Sequence, residues 1–322
     1  MSNIAYSAID EINEVVMNKI LVIIGPTAVG KTKIAIKIAK KISGEIISAD
    51  SRQIYQYLTI GTAKPTPEER QLIRFHLIDF VHPDDTYSCG QFGRDAEAKI
   101  GEVRKRNNIP IVCGGTGLYI KALFHPLHVL PQSDEKLKEK FTTILKQHGI
   151  EYLYQKLRAI DPEWAGKIMP QDKQRIVRGL EVYEITGKPL SSLINKQKRK
   201  AQFQPYYIGL NAPRDILYQK IDKRVDEMIK KGLVKEVTSL LKRGFDHQSN
   251  ALRTIGYKEI IAYFQKNLTL DEAVKKIKQR TRNFAKRQIT WFNKIPDVHW
   301  YNPEDINIIK TIIKPFSTNC NQ

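Results

Sequence analysis

Cysteine is scarce in this chain. Cys89, Cys113 and Cys320 are the only three in 322 residues, and no two of them form a C-x-x-C pair. That excludes a disulfide framework and a thiolate zinc site, and it fits a reducing compartment. Long apolar runs are missing as well: none approaches the roughly 18–20 residues that a bilayer span needs. The opening MSNIAYSAIDEINEVVMNK lacks the charged-then-apolar pattern of an export signal. The expectation is a cytoplasmic protein with no membrane contact. Acids are outnumbered, with 34 Asp and Glu against 53 Lys and Arg, a formal charge of +19. A small-metabolite enzyme needs only a few local cations, so this excess points to a polyanionic partner. The alternative is a lysine bias inherited from AT-rich codons. With 41% hydrophobic residues the chain is globular, and it is long enough for one large or two modest domains.

What is present begins with IIGPTAVGKT. The spacing Gly-x-x-x-x-Gly-Lys-Thr runs through Gly25, Pro26, Thr27, Ala28, Val29, Gly30, Lys31 and Thr32. It follows the apolar run LVII (21–24), which reads as a buried parallel strand, and precedes Ile34, Ile38 and Ile42 at helical spacing. A Gly-rich turn between strand and helix gathers backbone N–H groups on an anion, and the helix N-terminus adds partial positive charge. Lys31 would meet the outer phosphates, and the Thr32 hydroxyl is placed to hold Mg²⁺. Nucleotide kinases, ATPases and GTPases use such a loop, including for ATP, and so do enzymes that bind only a pyrophosphate.

Strand–loop–helix alternation continues. EIISAD (45–50) is a second apolar strand ending in an acid, and IPIVCGGTGLYIKAL (109–123) is a third strand, a Gly-rich turn and a helix start. This alternation predicts an α/β fold with a parallel sheet flanked by helices, and ligands at the carboxyl ends of its strands. From about 129 to 201 strand signals disappear. SDEKLKEKFTTILKQHG (133–149) reads as a helix capped by Ser133 or Asp134 and stopped at Gly149. QRIVRGLEVYEITGK ends at Gly187, and KQKRK (196–200) closes the stretch. Residues 129–201 are therefore expected to form a helical insertion domain between two parts of a catalytic core, 1–128 and 202–322. PYYIGL (205–210) returns as a strand, followed by an amphipathic helix with Ile216, Leu217, Ile221, Val225 and Met228 on one face.

Between residues 274 and 296 there are eight Lys or Arg and no acid. Val274, Ile277, Phe284 and Phe292 share one helical face, with Lys275, Lys276, Arg280, Arg282, Lys286 and Arg287 largely opposite. A solvated charged face normally mixes signs, so a one-sign face predicts contact with a phosphate backbone.

The motifs GPTAVGKT, ADSRQIY (49–55), IGTAKP (60–65), HLIDFVHPDDTYS (76–88), GGTGLYI (114–120), QRIVRGLEVYEITGKPLS, TIGYKE (254–259) and FAKRQITWF (284–292) follow in order. Together they resemble the bacterial tRNA dimethylallyltransferases, also called tRNA isopentenyltransferases, over most of the chain. The resemblance implies a P-loop NTPase-like core. It implies transfer of a dimethylallyl group from dimethylallyl diphosphate to N6 of the adenosine 3′ of the tRNA anticodon, with Mg²⁺ as cofactor. It also implies a general base at Asp50, a phosphate-facing cation at Arg224, and a hydroxyl near the reacting adenine at Thr116. For the anticodon stem-loop it implicates Asp50, Ser51, Arg52 and Gln53; Thr116 and Lys138; Gln174, Arg175, Ile176, Val177 and Arg178; and Arg253, Thr254, Ile255, Gly256, Tyr257 and Lys258. One departure is RFHLID, where Phe75 stands in place of the first of two histidines usual in the family.

The chemistry agrees with these residue types. An exocyclic adenine amine is a weak nucleophile, so the allylic carbon must be activated by stabilising the departing diphosphate. Arg and Gln can hydrogen-bond the base edges of a splayed loop, and Arg can stack on them. The target base should be flipped out of its stack. Each residue also has a plainer reading. Asp50 could cap a helix or hold Mg²⁺. Arg224 could pair with Asp222 or Asp226, and Thr116 could cap its own helix. Gln174, Arg175 and Arg178 could line a solvated face, while Asp79, His82 and Tyr87 read as structural. A small-metabolite kinase, a nucleotide-switched RNA-binding protein and a transferase acting on free adenine nucleotides are the rival functions. The chain is expected to act as a monomer.

Overall fold

The computed structural model describes residues 19–125, 130–196, 202–305 and 307–313. These residues divide into two compact units, one made of 1–124 with 201–322 and the other of 125–200. Cys320, the opening 18 residues and most of KQKRK lie outside the described residues.

The first unit is built on six parallel strands in the order β3-β2-β4-β1-β5-β6. They are β1 (Lys19–Ile24), β2 (Gly44–Ser48), β3 (Phe75–His76), β4 (Ile109–Gly114), β5 (Gln204–Leu210) and β6 (His299–Tyr301). β1 is central, pairing Leu21 with Ile111 on one side and with Tyr206 on the other. Its side chains alternate between two cores, which explains the unbroken apolar run. Ile20, Val22 and Ile24 pack on one face with helices α3 (Cys89–Lys105) and α4 (Gly117–Phe124). Leu21 and Ile23 pack on the other with α1 (Lys31–Lys41), through Ile34 and Ile38. The short helix α2 (Pro67–Leu72) starts at a Thr66 capping box.

The second unit is helical, with α5 (Glu135–Ile160), α6 (Pro162–Gly166), α7 (Lys173–Thr186) and α8 (Leu190–Lys196). Asp134 caps α5, and the stop expected at Gly149 is a break: its φ of 80° and ψ of 174° interrupt the helix, which resumes at once. Phe141, Leu153, Leu157, Ile176 and Leu180 form this unit's core.

Four helices complete the first unit: α9 (Arg214–Lys230), α10 (Leu233–Lys242), α11 (Tyr257–Phe264) and the 23-residue α12 (Leu270–Phe292), with α13 (Ile308–Ile313) after β6. Leu217, Ile221 and Val225 of α9 are buried, as their spacing predicts, and so are Ile277 and Phe292 of α12. No described helix is long and apolar enough to cross a membrane.

Candidate active site

Three turns leave the carboxyl ends of the neighbouring strands β1, β4 and β2, where open parallel sheets place their ligands. The first is the phosphate-binding loop. Gly30 has φ 103°, a conformation that costs a β-carbon-bearing residue, and it turns the chain into α1 with no acidic residue in the first turn. The second, after β2, carries Asp50. The third, after β4, carries Thr116. A cavity of about 680 Å³ opens between them, lined by Lys31, Thr32, Asp50, Gln53, Arg224 and Gln288 among others.

Asp50 is half-buried, and its Oδ1 accepts hydrogen bonds from the backbone N–H groups of Arg52 at 2.8 Å and Gln53 at 3.3 Å. The carboxylate therefore caps the turn with one oxygen, while Oδ2 receives no hydrogen bond from the described residues. Thr116 Oγ1 accepts the Ser51 N–H at 3.0 Å, and the Thr116 N–H donates to the Ala49 carbonyl at 3.1 Å. The turns after β2 and β4 are thereby fastened to one another beside the cavity.

The cations come from two elements. Lys31 opens α1 and donates to the carbonyls of Gly25 at 2.9 Å and Pro26 at 2.7 Å. Burial pushes its ammonium down to about 8, against the favourable field of Asp50 and with help from nearby Arg224. Arg224, on α9, is likewise lowered by desolvation, and Asp50 opposes that shift. The expected alternative for Arg224 does not occur: Asp222 pairs with Arg282 at 2.7 Å and Asp226 with Lys278 at 2.7 Å. Arg224 makes no ion pair among the described residues. Two desolvated cations thus face one cavity, with Asp50 acting on both and Glu227 on Arg224, and neither cation is ion-paired among the described residues, an arrangement suited to a dense anion.

Apolar side chains also line the cavity, from Ile60, Ala63, Phe75, Cys113, Met228 and Phe284. Burial pushes the Cys113 thiol up to about 12, so it is neutral and no nucleophile. Lys64 also lines the wall, but its ammonium is spent on the Tyr55 carbonyl and on Asp79 at 2.5 Å. A profile described as IPP transferase matches residues 53–295, and one described as isopentenyl transferase matches 18–81. The chain belongs to the IPP transferase family. A tRNA dimethylallyltransferase of Thermoanaerobacter sp. (strain X514) is 45% identical over 304 residues, covering 92% of this chain and 96% of that one. One from Carboxydothermus hydrogenoformans is 48% identical over 286 residues, covering 88% and 92%. Among solved structures, the full-length tRNA isopentenylpyrophosphate transferase of Bacillus halodurans aligns at TM-score 0.67 and 37% identity, over 92% of this chain and 93% of that one. A eukaryotic dimethylallyltransferase acting on tRNA aligns at TM-score 0.80 and 31% identity, over 92% and 78%.

Within this IPP transferase scaffold, several residues read as nucleic-acid contacts have other employment. Ile176 and Tyr257 are fully buried, so their side chains are core and cannot touch a base. Val177 packs on the helical core and Ile255 on the main one. Gly256 has φ 101° and starts α11, and Thr254 is buried with no partner for its hydroxyl among the described residues. The Gln53 amide donates to the Thr62 and Ala63 carbonyls and so holds the IGTAKP loop. Arg52 reaches Asn250, Arg175 pairs with Asp172, and Arg178 pairs with Glu181 at 2.7 Å. Arg253 is exposed and Gln174 is exposed, while Lys258 is partly buried.

The one-sign reading of α12 also needs correction. Lys278, Arg280 and Arg282 are paired with Asp226, Glu259 and Asp222 from neighbouring helices. A run of cations in one helix says nothing about acids that other helices bring to it. Lys275, Lys276, Lys286 and Arg287 remain exposed.

Two site residues escaped the sequence reading. Glu236 of α10 accepts the N–H groups of Thr59 at 3.1 Å, Ile60 at 2.8 Å and Gly61 at 3.3 Å, and the Tyr257 hydroxyl at 2.6 Å. It fastens the IGT segment that walls the cavity to TIGYKE. An isolated Glu on an amphipathic helix carries no signal of that. Gln288 is the other, and it lay inside the quoted motif FAKRQITWF.

Proposed function

We propose that this protein transfers a dimethylallyl group from dimethylallyl diphosphate to N6 of the adenosine 3′ of the anticodon in tRNA, releasing diphosphate, in the cytoplasm. The observation that carries it is the meeting of Lys31, Arg224 and Asp50 in one cavity, with neither cation's charge spent on an ion pair.

The N6 lone pair attacks the allylic carbon. The carbon–oxygen bond breaks and its electron pair leaves with the diphosphate, so negative charge grows where Lys31 and Arg224 are aimed. Because both cations are already desolvated, they stabilise that charge without reorganising water. The proton that N6 sheds goes to Asp50, whose Oδ1 is anchored and whose Oδ2 is available. The apolar part of the lining suits the five-carbon unit. Phe75, the departure from the family pattern, adds an aromatic ring to that lining.

Mg²⁺ fits this donor set only in part through protein atoms. The described residues hold no cluster of three His, Cys, Asp or Glu side chains. Thr32 on the cavity wall would therefore hold the ion together with the substrate's own phosphate oxygens and water, a manner typical of this cation. Bound there, it would supply charge neutralisation to the leaving diphosphate. For tRNA, the exposed Arg253, Lys286 and Arg287 offer charge to the phosphate backbone, and on the helical unit the exposed Gln174 offers hydrogen bonds while Arg175, though paired with Asp172, keeps further donors.

The test is a product count. With total tRNA and labelled dimethylallyl diphosphate and no ATP, prenylated adenosine should appear after nuclease digestion, with pyrophosphate released in step. Orthophosphate release, or turnover that requires ATP, would return the site to a kinase or nucleotide switch, whose attack falls on phosphorus.

A further inference from the structure

Gln288 sits on α12, far in sequence from both Gly-rich turns, yet it touches each of them. Its Oε1 accepts the Thr27 N–H of the phosphate-binding loop at 2.8 Å. Its Nε2 donates to the Gly115 carbonyl, in the turn that carries Thr116, at 2.8 Å. The side chain is buried, 6% exposed. The fit leaves no slack: a β-carbon added to Gly115 would lie 2.3 Å from Nε2, and one added to Gly117 would lie 2.2 Å from the Trp291 ring. Two of the glycines of GGTG are therefore spaces for side chains of α12.

We infer that Gln288 is a positioning residue that sets the distance between the diphosphate loop and the turn facing the nucleophile. The inference rests on the transfer reaction proposed above. The reaction joins two substrates held by two separate turns: Thr116 ties the turn after β4 to the turn after β2, and Gln288 ties it to the phosphate-binding loop. One primary amide spans the gap, using its acceptor on one turn and its donor on the other. No other natural side chain of that length and shape offers both a hydrogen-bond donor and an acceptor without a charge. Misplacement of reacting atoms by about 1 Å can cost on the order of 10² in rate, so the clamp acts on the chemical step and leaves the affinity for either substrate alone nearly untouched.

Two substitutions separate the roles. Gln288→Met keeps the volume and removes both hydrogen bonds; Gln288→Glu keeps the acceptor for Thr27 and sets an oxygen against the Gly115 carbonyl. Both should lower kcat by about 10–10² while KM for dimethylallyl diphosphate and for tRNA each stay within about threefold. Amide hydrogen exchange reads the clamp without turnover. Protection of a peptide spanning residues 25–32 should drop about tenfold in Gln288→Met, as expected when an amide loses a buried partner. A folded variant with unchanged kcat and unchanged exchange in that peptide overturns the inference. So does a rise in KM at constant kcat, which would make Gln288 a support for binding alone. If Gln288→Met fails to fold, the same two measurements on Gln288→Glu decide. A wild-type protein that transfers nothing would overturn the proposed reaction instead, and the exchange result would still judge the clamp.

Discussion

At the residue scale, the site is defined by where charge is left unpaired. Asp50 illustrates it, since one oxygen caps a turn and the other faces the cavity. Asp50→Asn keeps an acceptor for the Arg52 and Gln53 N–H groups but cannot take a proton. It should lose about 10²–10⁴ in turnover, as deep a loss as Asp50→Ala, with its melting temperature unchanged. An Asn variant close to wild-type activity would limit Asp50 to the turn. Lys31 makes a second prediction. Its value in the free protein, about 8, lies below the ordinary 10.5, because burial disfavours the ammonium. Below pH 8 the charged form prevails; above it, the neutral amine. kcat/KM for the diphosphate substrate reports the free enzyme, so it should fall about tenfold per pH unit above roughly pH 8. A profile flat to pH 10 would mean that Lys31 keeps its charge or is dispensable. Both residues were legible in the sequence, since each belongs to a short motif whose spacing reflects a local turn. Gln288 and Glu236 were not, because their partners lie 261 and about 177 positions away.

At the element scale, α12 serves two purposes that a single helix's sequence cannot separate. Its cations at 278, 280 and 282 bind it to α9 and α11, whereas Lys286 and Arg287 face solvent. The Arg282–Asp222 pair is about one-third exposed on each side, so a double-mutant cycle should give a coupling of only about 0.5 kcal/mol. Neutralising Lys286 and Arg287 together should leave the melting temperature alone and weaken tRNA binding. Neutralising Arg282 should do the reverse. If all three behave alike, the division of the helix into a packed and a binding part fails.

At the scale of the whole molecule, a formal +19 remains to be placed. Much of it is not spent inside the protein, and each phosphate it neutralises on tRNA releases condensed counterions. The logarithm of tRNA affinity should therefore fall linearly with the logarithm of salt concentration. The slope should shallow when Lys286 and Arg287 are removed, while affinity for dimethylallyl diphosphate, held by buried cations, changes far less with salt. A salt-independent tRNA affinity would reduce the charge excess to composition alone. The helical unit has its own core around Ile176, Leu157 and Leu180. The tRNA contact proposed for it would fall to polar residues between those positions, such as the exposed Gln174 and Arg175, and not to the whole of QRIVR.

The sequence by itself determined the parallel sheet, the phosphate loop, the helical insertion and the family. Each depends on periodicity or on spacing within a short stretch, and local sterics and burial enforce those directly. Only the tertiary structure decided that Arg224 makes no ion pair among the described residues while Arg282 does, that Ile176 and Tyr257 are core, and that β6 lies at the sheet edge beside β5. It also decided that Gln288 joins two turns. Those outcomes depend on which groups distant segments deliver to one another. The energy of a charge or a buried amide is set by such neighbours, and no window of the chain contains them.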